Sequence, residues 1–78
     1  MKLNNPKIIY FKKLPIELYQ ILKVEELVNS GGEAKQYIAD GKVMINNSVE
    51  TRKRKKVFAG DFITFNELNY LVEESVNE

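Results

Sequence analysis

Seventy-eight residues, 44% of them apolar, suit one small domain with a thin core, since a chain of this length buries only about 60–65% of the surface it exposes when unfolded. The absence of Cys and His removes disulfide staples, soft-metal sites and thiol or imidazole chemistry, so apolar packing alone must hold the fold. A formal charge of +1 conceals an asymmetry: residues 1–56 hold all twelve cations with six acids, a net of +6, whereas residues 57–78 hold five acids and no cation, a net of −5.

In chain order, Met1–Lys7 is polar and contains Asn4, Asn5 and Pro6, which oppose regular structure, so only partial order is expected there. Ile8–Phe11 is β-prone and reads as an edge strand that Lys12, Lys13 and Pro15 bring to an end. Ile16–Asn29 has helical periodicity, with Leu18, Ile21 and Leu22 on one face and Glu17 in the first turn. Leu27 and Val28 fall out of phase with that face, which predicts two short helical pieces with a bend near Lys23 and Val24.

Ser30 and Glu33 have the spacing of a capping box: the serine oxygen accepts from the first turn, and the carboxylate reaches back to the serine N–H. Ala34, Tyr37 and Ile38 then share one face of a helix of about ten residues, and Gly41 suits the left-handed position past its end. Val43, Ile45 and Val49 alternate with polar positions as half-buried strands do, and Asn46-Asn47-Ser48 supplies a hairpin turn. Val57 and Phe58 begin a further extended segment, Gly60 and Asp61 make a turn, and Phe62, Ile63 and Phe65 supply the next strand. Phe62 and Ile63 cannot both face the core of an ideal strand, which predicts a bulge near that turn or one side chain covering an end of the core. A turn at Glu67-Leu68-Asn69 precedes a last strand at Tyr70, Leu71 and Val72, and Ser75–Glu78 is expected to fray. Tyr10, Tyr19, Phe58 and Phe65 match no base-stacking motif and are expected to pack.

Arg52, Lys53, Arg54, Lys55 and Lys56 are five consecutive cations. On an extended backbone they split into two rows, Arg52, Arg54 and Lys56 against Lys53 and Lys55; in a loop both sets can converge on one ligand. Forked arginines mixed with mobile lysines suit a curved phosphate backbone better than a small fixed anion. The plainer alternative is a solvated loop, or one that docks an acidic protein surface.

Gly31 and Gly32 lack the spacing of a dinucleotide fingerprint and the terminal Lys-Ser/Thr pair of a P-loop. They provide either conformational freedom at a helix entrance or access for a ligand to backbone amides. Lys35, one turn on, and Lys42, past the helix end, can join the same surface. There is no poised acid–base pair, no Ser/His/Asp set and no metal-ligand cluster, so neither enzymatic activity nor a cofactor is expected. With no apolar run near the roughly 20 residues of a spanning helix and no signal-peptide stretch, a cytoplasmic chain without membrane contact is expected.

Four segments together resemble a known family: Ser30-Gly31-Gly32-Glu33-Ala34-Lys35, Gly41-Lys42-Val43-Met44-Ile45-Asn46, Glu50-Thr51-Arg52-Lys53-Arg54-Lys55-Lys56 and Gly60-Asp61-Phe62-Ile63. Their order and spacing are similar to the S4-like RNA-binding domain, in particular its small stand-alone bacterial members, over about residues 8–72. The resemblance implies a single domain of class α+β, a compact α-L fold with short helices packed on a small, mostly antiparallel sheet. It implies that the second helix and the adjoining hairpin present the RNA-binding surface. Ser30, Glu33, Gly41, Asn46, Gly60 and Asp61 are then structural positions, and Gly31, Gly32, Lys35, Lys42 and Arg52–Lys56 the RNA-binding ones. Many S4-like domains carry an arginine directly after the cap serine, where this chain has Gly31, so a side-chain phosphate contact there does not carry over.

The function expected is non-catalytic binding of structured RNA, rRNA or another folded cytoplasmic RNA, by a monomer. A ribosomal or assembly protein is a possible second partner. The alternatives are a protein-interaction module that docks an acidic surface in ribosome assembly, and nonspecific DNA binding.

Overall fold

The computed structural model describes residues 5–75, so the expectations for Met1–Asn4 and for Val76–Glu78 lie outside the described residues. Strand β1 spans Lys7–Phe11 and forms one edge of the main sheet, as its β-prone composition predicts. The Leu14–Pro15 peptide is cis. Ile16 and Glu17 then form a short strand, β2, rather than the first helical turn.

Helix α1 runs only from Leu18 to Val24. It buries Leu18, Ile21 and Leu22 as the periodicity requires, but the expected second helical piece is absent. Instead Glu26 takes a left-handed φ of 59°, its N–H donates to the Lys23 carbonyl, and the Leu27 N–H donates back to Leu22. That is a Schellman-type ending; the phase change marks a helix stop, after which Leu27 and Val28 pack against the core from a loop. Glu17 sits at the N-cap without a capping side-chain bond.

Helix α2, Gly31–Ala39, begins as predicted, with Ser30 Oγ accepting the Glu33 N–H at 3.1 Å. The return bond differs by one residue, because the Glu33 carboxylate accepts from Asn29 N–H at 2.6 Å rather than from Ser30. The end is also Schellman-type: Gly41, at φ 77°, donates to Ile38 and Lys42 donates to Tyr37.

Strands β3 (Val43–Ile45) and β4 (Ser48–Val49) form the predicted hairpin. Asn46 and Asn47 both have positive φ, 51° and 70°, as a type I′ turn demands. Val49 is exposed rather than half-buried. Lys56 and Val57 form β5, which pairs antiparallel with β2. Strand β6 (Phe62–Phe65) keeps strict alternation, with Ile63 and Phe65 buried and Phe62 and Thr64 half-buried. Its pairing with β3 runs without interruption, so no bulge is needed. The last turn falls at Asn66 and Glu67, both at positive φ, and β7 therefore starts earlier than expected, covering Leu68–Glu74. Ser75 is tied down, its N–H donating to the Phe11 carbonyl at 2.8 Å.

The main sheet has the order β1-β7-β6-β3-β4. All its pairs are antiparallel except β1 with β7. Both helices cover one face, where Leu18, Ile21, Leu22, Ala34 and Ile38 meet Val43, Ile63, Val72 and their neighbours in one apolar cluster. Among the described residues no helix covers the opposite face, where Ile8 and Tyr10 of β1 are exposed. This is the α+β arrangement of short helices on a mostly antiparallel sheet that the resemblance implies.

Asn46 ties the hairpin to β6. Its Nδ2 donates to Asp61 Oδ1 at 3.1 Å and its Oδ1 accepts the Phe62 N–H at 2.9 Å. Replacing Asn46 by Ala removes both bonds and strains a left-handed residue, so it should cost about 1–3 kcal/mol, read as a lower urea midpoint. Asn47→Gly, which suits the same turn, should keep or raise the midpoint; equal midpoints for wild type and Asn46→Ala would contradict the assignment.

Candidate nucleic-acid interface

The basic run is held by its backbone. The first amides of a helix have no carbonyl one turn back to receive them, and in α1 the Leu18 N–H donates to the Lys55 carbonyl at 2.9 Å and the Tyr19 N–H to the Lys53 carbonyl at 3.1 Å. The Lys55 N–H closes a turn on the Arg52 carbonyl at 3.2 Å, so the run is not an extended ribbon with two rows; only Lys56 lies in a strand. Because main-chain carbonyls make the attachment, the side chains of Arg52, Lys53, Arg54 and Lys56 remain exposed, and Lys55 is half-buried.

Glu50 roots this loop. Its carboxylate accepts the Arg52 backbone N–H at 2.9 Å, Arg52 Nε at 2.8 Å and Arg52 Nη2 at 3.1 Å. The Glu50 side chain is 12% exposed and that of Arg52 71%, so the acid lies beneath the loop and orients a guanidinium that still faces solvent. Arg54 reaches Glu17 less closely, at 3.9 Å. Among the described residues, no acid from the β7 end of the chain pairs with the run.

Helix α2 faces this loop. Gly32, Lys35, Gln36 and Ala39 on one side and Thr51, Arg52, Lys53 and Arg54 on the other line an open groove of about 550 Å³. Lys35 is oriented by Tyr19, its Nζ lying 4.8 Å from the ring centroid, a cation–π geometry. Neither Gly31 nor Gly32 has positive φ. A Cβ on Gly31 would make ordinary contacts of 3.8–3.9 Å with Lys23 and Tyr19, and one on Gly32 would lie 3.9 Å from Ser30 Oγ. Neither backbone conformation nor space requires these glycines; what they do is keep the start of α2 free of side chains, with Gly32 lining the groove beside the cations.

Not every predicted site residue joins the groove. Lys42 lines a separate, smaller concavity of about 200 Å³ with Leu27, Tyr37, Phe65 and Asn66. Gly60 and Asp61 shape the turn before β6, where Gly60 has φ 91° and the Asp61 N–H donates to the Phe58 carbonyl. Phe58 does not pack as expected: it is 53% exposed and lines a second concavity beside Arg52, Arg54, Lys55 and Lys56. Glu50, Gln36, Ala39 and Thr51 escape sequence reasoning. Glu50 could have been found from its i,i+2 spacing to Arg52 in an extended segment; Gln36 carries no such signal. Among the described residues no group of three or more His, Cys, Asp or Glu could hold a metal ion, and no helix is long and apolar enough to cross a membrane.

The Arg52 side-chain hydrogen bonds lower the Glu50 carboxyl from the usual 4.5 to about 2, burial opposing and the Arg52 N–H and nearby positive charges assisting. A carboxyl depressed in the folded state stabilises the fold above its unfolded pKa, and this contribution fades as pH falls from 4.5 towards 2. Carboxyl carbon NMR should therefore place the Glu50 midpoint near 2, and Glu50→Gln should remove part of the acid sensitivity of stability across that window. A midpoint at the ordinary carboxylate value would contradict the clamp.

Comparison with known proteins identifies the family and the fold. A family model, the S4 domain, matches residues 9–73. The putative RNA-binding protein YbcJ of Escherichia coli (strain K12) is 46% identical over 50 residues, 64% of this chain and 71% of that protein. The probable ribosome maturation protein RlbA of Bacillus subtilis (strain 168) is 33% identical over 48 residues, 62% and 68% of the two chains. The solution structure of E. coli YbcJ, reported to reveal an αL motif involved in RNA binding, superposes with a TM-score of 0.67 at 36% identity over 94% of each chain. With a family match across both helices and most of the main sheet, and the same architecture in a solved relative, the chain belongs to the S4 domain family.

Proposed function

We propose that this chain is a non-catalytic module that binds structured RNA, rRNA foremost, in the groove between α2 and the basic loop. One observation carries the reading: Gly32, in the first turn of α2, and Lys35 face Thr51–Arg54 across a single groove. The positive end of a helix and a cluster of cations would repel each other without a ligand between them, and a phosphate backbone satisfies both. The groove is open and curved, which suits recognition of RNA by shape and backbone rather than by a base-by-base code. The E. coli relative's name as a putative RNA-binding protein and the B. subtilis relative's as a probable ribosome maturation protein support RNA, and ribosomal RNA within it. A ribosomal or assembly protein is a compatible second partner, and the site needs no cofactor.

Binding of the isolated chain to folded rRNA and to duplex DNA of matched length, measured across a salt series, tests this. The expected result is preference for RNA, with a log–log salt slope that flattens when Arg52, Lys53, Arg54, Lys55 and Lys56 are all changed to Gln. The flattening should be about 0.7–0.9 for each phosphate that the variant no longer neutralises. Equal affinity for duplex DNA would reduce the reading to polyanion capture, and no binding by the folded wild type would overturn it.

A further inference from the structure

We propose that Phe58 is a stacking platform for one unpaired nucleobase of the bound RNA, with Arg54, Lys55 and Lys56 holding the phosphates that flank it. This rests on the RNA-binding reading and narrows its ligand to RNA that presents an unpaired base beside a stem.

A single exposed apolar residue is ordinary; what distinguishes Phe58 is how it is held and what surrounds it. Val57 is fully buried, and alternation along the chain turns the next side chain away from the core. The Phe58 N–H donates to Asp61 Oδ2 at 2.8 Å, and the Phe58 carbonyl accepts the Asp61 N–H at 3.1 Å. Gly60, at φ 91°, gives this turn its type II form and donates to the Val72 carbonyl at 2.7 Å, while the Asp61 carbonyl accepts the Val72 N–H at 2.9 Å. The other oxygen of the Asp61 carboxylate accepts from Asn46. The ring is thus carried on a backbone cross-linked to both β7 and the β3–β4 hairpin, so little conformational entropy is lost when a ligand stacks on it.

The surroundings name the ligand. Phe58 shares an open concavity of about 420 Å³ with Arg52, Arg54, Lys55 and Lys56, and among the described residues no acid lines it. A free phosphate has no use for the ring, and an apolar peptide has no partner for four cations. A nucleotide offers a π-face and a phosphate together, and stacking on an aromatic side chain tolerates any base. A base paired within a duplex cannot offer its face, so the partner must present a loop, bulge or end. Arg52 and Arg54 line both this concavity and the groove against α2, so one RNA can engage both, with the backbone of its stem in the groove and the base that leaves the stem on Phe58.

The chain contains no Trp, so Phe58→Trp introduces a single indole at the proposed contact. The probes are an RNA hairpin with one bulged adenosine and a fully paired hairpin of the same length and phosphate number. Tryptophan emission should be quenched by the bulged hairpin and little changed by the paired one. Phe58→Ala, checked for folding by circular dichroism, should weaken the bulged hairpin about tenfold, leave the paired one within about twofold, and keep the salt slope, since every cation is retained. Equal weakening of both hairpins, or none, would overturn the stacking role while leaving RNA binding intact. Failure of the wild type to bind either hairpin at low salt would instead remove the RNA reading on which it rests.

Discussion

Two backbone hydrogen bonds, from Leu18 and Tyr19 at the start of α1 to the carbonyls of Lys55 and Lys53, determine what the basic loop can do. A helix N-terminus carries partial positive charge, and five cations would not settle against it through their side chains. Main-chain carbonyls can, because they are the acceptors those amides lack. The result separates backbone from side chains in this segment: its backbone completes α1, and most of its side chains are left facing solvent. Strand β5, paired with β2, brings the loop to that position.

Short polar side chains do the remaining bracing. Asp61 bonds the Phe58 amide and the Asn46 side chain together, and Asn46 in turn receives the Phe62 amide, so one carboxylate links the turn before β6 to the hairpin. Glu50 holds Arg52 by backbone and side chain at once. These contacts lie at the rim, outside the apolar cluster that joins helices to sheet, and they define where the exposed cations and Phe58 sit rather than how much core is buried. The molecule accordingly has two unlike sides. The helical side carries the basic groove, and the bare face of the sheet carries Ile8, Tyr10 and Val49.

Much of this was legible in the residues because the signals are local. The Ser30–Glu33 pattern, Gly41 and the Asn46-Asn47 pair each state a backbone geometry within a few positions of themselves, and each takes its expected place except the Glu33 carboxylate, which accepts from Asn29 in place of Ser30. The end of α1 was hidden because its left-handed position is Glu26, where Gly or Asn would have announced it. The direction of the five cations depends on carbonyls meeting amides far away in sequence, and the exposure of Phe58 depends on Val57 having taken the place in the core. Such choices follow from packing between distant segments. The parallel pairing of β1 with β7 is of the same kind.

The central claim is that RNA engages the helical side through α2 and the basic loop. Amide chemical-shift mapping on the nitrogen-15-labelled chain, titrated with a folded rRNA fragment, tests this most directly. The perturbed amides are expected to cluster at Gly31–Gln36 and Thr51–Phe58, with Tyr10, Val49 and Leu71 unmoved. Perturbations concentrated on those three and their neighbours on the bare face of the sheet, or around Lys42, would contradict it.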